Sequence, residues 1–132
     1  MTRPISAAAL LCALAMPSQA AEPMTAEEFD QYTRGKTLTY AEQGIPYGIE
    51  EYYPDKQVKW AFENGDCMSG FWYEKDQNIC FIYEDGGPTQ CWAFYLEENK
   101  LRAVFVGDSG TELYEAWTSD RPLQCEGAPP LV

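Results

Sequence analysis

The chain contains no histidine, and its 9 lysines and arginines face 21 aspartates and glutamates. The first absence removes the usual general base of nucleophilic catalysis and the commonest zinc ligand. Ser69, Ser109 and Ser119 are hydroxyls without an activator, and Ser119 beside Asp120-Arg121 reads as a turn. The shortage of cations leaves a formal charge of −12, which repels nucleic-acid phosphates and anionic membranes. No C-x-x-C spacing occurs, so neither a redox dithiol nor a close-paired zinc site is expected. Past residue 16 no apolar run approaches the roughly 20 residues needed to cross a bilayer. No cofactor motif is present. The expectation is a protein without cofactor or metal that is not an enzyme and neither binds nucleic acid nor inserts in a membrane.

The N-terminus has the three parts of an export signal. Arg3 is the positive region, and Ala7 to Met16 is an apolar run too short to span. Pro17 breaks a helix, and Ser18-Gln19-Ala20 presents small residues to a peptidase. Residues 1–20 are therefore expected to be a signal peptide cleaved after Ala20, leaving 21–132 as one exported domain, periplasmic or secreted. Cys12 follows Leu11 and the apolar run continues beyond it, unlike a lipid-anchored cysteine.

Four cysteines remain: Cys67, Cys80, Cys91 and Cys125. An even number in a small exported domain reads as two disulfides. A domain this size buries only about two thirds of its unfolded surface, so crosslinks of ~2–4 kcal/mol each matter to it. Cys80 with Cys91 is favoured because the two flank a hairpin symmetrically. Cys67 with Cys125 then pins the tail. The competing pattern is Cys67–Cys80 with Cys91–Cys125.

Thr25 and Glu28 have capping-box spacing, with Met24 and Phe29 at the hydrophobic-staple positions, predicting a helix over 26–34 that stops at Gly35. From there the apolar period becomes two. Strands are predicted over 36–41, 47–53, 57–62, 68–73, 79–83, 91–96, 101–106 and 112–117. Turn signals separate them, notably Asn64-Gly65 and Asp76-Gln77-Asn78. Eight short strands without intervening helices make a mainly β fold: an antiparallel meander of about seven or eight strands, closed as a small sandwich or barrel, with one short N-terminal helix. Aromatics make up 14% of the chain and lie largely in these strands. Trp60, Phe62, Trp72 and Phe94 are assigned to the core. The tail after Gly127 is expected to be loose.

The segments Val58-Lys59-Trp60-Ala61-Phe62, Cys67, Gly70-Phe71-Trp72-Tyr73, Ile79-Cys80-Phe81-Ile82-Tyr83 and Gln90-Cys91-Trp92 resemble a family of small exported alphaproteobacterial proteins with no assigned activity. The resemblance covers roughly residues 24–117 and implies a fold and a compartment, not a reaction. Gly70-Phe71-Trp72 is also similar to the G-x-W of lipocalin-like barrels, which carry it near their N-terminus rather than mid-chain.

Acidic pairs at Glu50-Glu51, Glu84-Asp85 and Glu97-Glu98, with Tyr52, Tyr53 and Tyr73 nearby, make a candidate interaction surface for a cationic protein or peptide. By analogy such a module would act as lysozyme inhibitors do. The alternatives are a lipocalin-like carrier of a small apolar ligand and, last, a hydrolase using paired carboxylates. Asp108 to Glu112 and Glu84-Asp85 lack an EF-hand spacing and read as hairpin turns. The sequence specifies no oligomeric state.

Overall fold

The computed structural model describes residues 1–4, 11–15, 21–62 and 65–125. Most of the expected export signal, Asn64 of the expected Asn64-Gly65 turn, and the tail from 126 onward lie outside the described residues. Leu11 and Leu14 are exposed and belong to no helix or strand.

One helix, α1 (Ala26–Thr33), precedes eight strands: β1 (Thr37–Glu42), β2 (Ile45–Tyr52), β3 (Gln57–Phe62), β4 (Cys67–Lys75), β5 (Asn78–Tyr83), β6 (Gln90–Glu97), β7 (Lys100–Phe105) and β8 (Glu112–Ser119). A single 3-10 turn, Pro54–Lys56, joins β2 to β3. The helix starts as its residues dictate. The Thr25 side chain accepts from the Glu28 amide, and the staple residues Met24 and Phe29 are both buried. The Glu28 carboxylate accepts from the Thr25 hydroxyl, at 3.1 Å, rather than from the Thr25 amide that capping-box spacing predicts. Arg34 is already the C-cap, one residue earlier than expected.

Each strand pairs antiparallel with its sequence neighbour, and β1 closes the ring on β8. The result is an up-and-down barrel, the closed form of the expected meander, with no free sheet edge. Three connections are two-residue turns in which both residues are left-handed: Gln43-Gly44, Asp76-Gln77 and Glu98-Asn99. Such turns match the twist of the strands they join. Where β1 meets β8, the partner steps from Trp117 at Thr39 to Glu115 at Tyr40, so Ala116 is an extra residue. This bulge resets the alternation, leaving Glu115 buried and Trp117 62% exposed.

The barrel has two unlike ends. At the first stand the β2–β3, β4–β5 and β6–β7 connections and α1. Phe29, fully buried, enters the interior there and touches Tyr52, Trp72, Phe81 and Phe94 at centroid distances of 4.5 to 6.4 Å. The Met24 amide bonds to the Phe94 carbonyl, and Tyr32 donates to the buried Glu115 carboxylate at 2.7 Å. Glu115 also accepts from the Leu101 amide and the Thr118 hydroxyl. The helix is thereby bolted in as a plug. At the other end, the mouth, no such element enters the interior among the described residues.

Both disulfides have the favoured pairing. Cys80–Cys91 ties directly opposed residues of β5 and β6, and Cys67–Cys125 fastens the tail to the start of β4. The tail crosses the outside of β1 and β2, held by Thr37 donating to the Arg121 carbonyl and by the Leu123 amide donating to Glu51. One core assignment is corrected. Phe62 shares inward parity with the buried Val58 and Trp60, yet it is 45% exposed because it is the last residue of β3, at the mouth. Among the described residues no helix is long and apolar enough to cross a membrane.

Phe29 fills the plugged end, so Phe29→Ala leaves a void among four aromatic rings. The expected cost is ~3–5 kcal/mol in urea unfolding followed by far-UV circular dichroism. A change below about 1 kcal/mol would show that the helix does not seal the barrel.

Candidate functional site

The mouth opens into a cavity of about 60 Å³, room for a few water molecules or the end of one side chain. Tyr47 and Phe62 form its outer wall and remain exposed to solvent at 37% and 45%. Trp60 and Trp92 lie deeper, both buried. The Trp60 ring sits 5.9 Å from Tyr47 and 5.6 Å from Phe62, centroid to centroid, and Trp92 is braced edge-on by Phe105 at 5.0 Å.

Two glycines make this packing possible. A Cβ on Gly48 would stand 2.1 Å from the Trp60 ring, so only glycine lets the indole lie against the β2 backbone. A Cβ on Gly70 would meet the Ile82 carbonyl at 2.4 Å and the Tyr83 ring at 2.8 Å, so Gly70 lets Tyr83 cross β4.

Beside the indoles the wall turns polar, with Glu50 the cross-strand partner of Trp60. The hydroxyls of Tyr40 and Tyr52 share a hydrogen bond of 2.7 Å, and Tyr83 donates to Glu50 Oε1 at 2.9 Å. Glu50 is 1% exposed, and its second oxygen, Oε2, is buried without a hydrogen-bond partner. It is the one carboxylate among the described residues lining the cavity. Loss of water pushes its pKa up to about 8, against the opposing effect of the Tyr83 hydroxyl. The same burial pushes Tyr40, Tyr52 and Tyr83 up, and the nearby Glu50 carboxylate adds to the shift of each. Burial therefore favours the protonated form of Glu50 at neutral pH, with an O–H to donate.

The cations around the barrel are sorted by end, whereas carboxylates stand at both. The described residues of the mouth connections, 42–45, 65–67, 84–90 and 106–112, carry Glu42, Asp66, Glu84, Asp85, Asp108 and Glu112, and no lysine or arginine. Arg34, Lys36, Lys56, Lys75, Lys100 and Arg121 all belong to the plugged end, and Lys59 and Arg102 lie along strands. At the plugged end Lys36 covers the Tyr32 ring at 3.8 Å and Lys56 approaches Trp72 at 5.3 Å.

The acidic surface expected from the sequence is not one surface. Glu84 and Asp85 are exposed at the mouth, where Glu84 accepts from the Ser69 amide and Asp85 from the Gly87 amide. Glu97 and Glu98 are exposed at the opposite end. Glu51, Tyr53 and Tyr73 are half-buried on the outer face. Glu50 and Tyr52 are corrected outright: both point inward and are buried, because period-two alternation sends Glu50 and Glu51 to opposite faces. The sequence reading missed Tyr40, Tyr83, Trp92 and the mouth position of Phe62. The available signal was the i, i+2 series Gly48-Glu50-Tyr52, which puts a carboxylate on the same parity as a core tyrosine.

The raised Glu50 pKa fixes the sign of a stability effect. Below about pH 4.5 the carboxyl is protonated in folded and unfolded chains alike; up to about pH 8 only the folded chain keeps the proton. Its contribution to stability therefore falls as pH rises between those values and levels off above. Relative to the wild type, Glu50→Gln should gain stability progressively over this window, by roughly a few kcal/mol at pH 9. Paired urea titrations at pH 4, 6.5 and 9 measure it, and a constant difference would place Glu50 in contact with bulk water.

Comparison of the chain with protein-family models, curated proteins and solved structures finds no match, which leaves the chemistry of the mouth itself as the guide to what the protein does.

Proposed function

We propose that the protein is a non-enzymatic binding module whose barrel mouth receives a positively charged group of a basic protein or peptide. The observation that carries the reading is the placement of the cations: among the described residues the connections at the open end carry carboxylates and no lysine or arginine, Arg102 reaching only Glu112 from along β7, and every connection that carries a basic residue lies at the end closed by α1. A one-sign rim around a low-dielectric opening focuses the field and raises the arrival rate of opposite charge. The aromatic walls suit such a partner, because ring faces attract cations. A single carboxylate in the cavity offers no acid–base pair for hydrolysis, which favours binding over catalysis.

An eight-stranded antiparallel barrel is also the architecture a lipocalin-like carrier uses. A cavity of about 60 Å³ lies well under the roughly 300–1,000 Å³ of small-molecule pockets, so the reading adopted is a side-chain-sized guest. Two disulfides suit an oxidising, exported compartment, in keeping with the expected signal segment and the resemblance to small exported alphaproteobacterial proteins.

Charge reversal separates the two ends. Glu42→Lys with Asp108→Lys at the mouth should slow association of a terminally capped penta-lysine peptide at least about fivefold at low salt, measured by stopped-flow tryptophan fluorescence. Glu98→Lys with Asp120→Lys at the plugged end should leave the rate within about twofold, and roughly 0.5 M salt should erase the difference. Equal effects from the two pairs would sink the proposal.

A further inference from the structure

We infer that the guest of the mouth is the primary ammonium of a lysine side chain, received by the unpartnered Oε2 of Glu50 beside the Trp60 and Trp92 rings. The inference rests on the proposed function and names the chemistry of its ligand.

The buried carboxyl decides between cations. One Glu50 oxygen is already engaged by Tyr83, and only the other is open. A guanidinium gains its advantage from two parallel N–H···O bonds to both oxygens of one carboxylate, which this arrangement withholds. An ammonium is a compact charge that needs a single strong acceptor and carries two further N–H groups. The hydroxyl oxygens of Tyr40 and Tyr52, lining the same cavity, can accept those. A quaternary ammonium would be attracted by the rings yet leave Oε2 without a donor. The shape agrees: a lysine is a thin apolar stem with a charged tip, so its methylenes can pass Tyr47 and Phe62 while the tip reaches the polar layer. The cavity, at about 60 Å³, has room for the end of one such chain.

The exchange balances as a proton transfer. Before binding, Glu50 carries a proton on its carboxyl. When the ammonium arrives, that proton leaves to solvent, the carboxylate takes up the charge-assisted N–H···O bond, and the pair is neutral. The titratable groups facing Glu50 are Tyr83 from β5, Tyr40 from β1 and Tyr52 from its own strand, with Glu115 of β8 acting on Tyr40 from farther off. None of these supplies a competing cation. Binding should therefore tighten as pH rises towards 8 and release close to one proton per complex below it.

The test uses terminally capped penta-lysine and penta-arginine on the full, disulfide-intact protein. Both peptides carry the same charge, so the acidic rim treats them alike and only the cavity tells them apart. Isothermal titration at pH 6.5, in two buffers of different ionisation enthalpy, should give penta-lysine at least about tenfold the affinity of penta-arginine and close to one proton released. Glu50→Gln, an uncharged side chain of the same shape, should remove both the preference and the proton release. The two peptides binding equally, with Glu50→Gln without effect, would overturn the lysine assignment and leave the rim in place. Neither peptide binding would overturn both. Fluorescence of Trp60 and Trp92 gives an independent readout: penta-lysine should change it in the wild type, and no change on binding would also overturn the assignment.

Discussion

Pairing of β1 with β8 is the constraint on which the rest depends. An open meander of eight strands has two faces and two edges; the same meander closed has an inside, an outside and two ends. Once closed, every inward side chain must be packed or capped. At one end Phe29 does this, with Glu115 holding the helix through Tyr32. The bulge at Ala116 serves the same closure, because it turns Glu115 inward to meet the helix and places Trp117 outside. At the other end no described helix caps the interior, and Tyr47 and Phe62 are left facing solvent.

That asymmetry organises the electrostatics. A buried carboxyl such as Glu50 is costly to ionise where nothing opposes its charge, so it keeps its proton and waits for a donor. Basic residues cluster where the barrel is sealed, partly over the rings of Tyr32 and Trp72. Acidic residues stand in turns at both ends, and in the described turns at the open end no cation accompanies them. In those turns Glu84 and Asp85 also accept backbone amides, so the carboxylates that give the rim its charge help shape its loops.

Much of the fold was legible residue by residue. Thr25, Glu28 and Phe29 announced the helix because capping is local, and the period-two runs gave all eight strands, β3 with both ends as expected. The symmetric placement of Cys80 and Cys91 around a hairpin favoured their pairing over the competing Cys67–Cys80 pattern, and the structure has that pairing together with Cys67–Cys125. The candidate site was less legible. Reading Glu50-Glu51 as one acidic patch ignored that adjacent strand residues face opposite ways, and grouping Glu84-Asp85 with Glu97-Glu98 ignored that an antiparallel strand carries its two ends to opposite poles.

By itself the sequence determined the class of fold, the helix start and the acidity, since each follows from local periodicity, spacing or composition, and it favoured one of two crosslink patterns that the structure then decided. Only the tertiary structure decided which end of the barrel is stoppered, that Phe62 stands in the open, and that Glu50 is enclosed with one oxygen unpartnered. Those facts depend on which strands become neighbours across the ring and on where a helix distant in sequence comes to rest. Burial and charge at a point in space sum over all of these neighbours, and no stretch of sequence contains that sum.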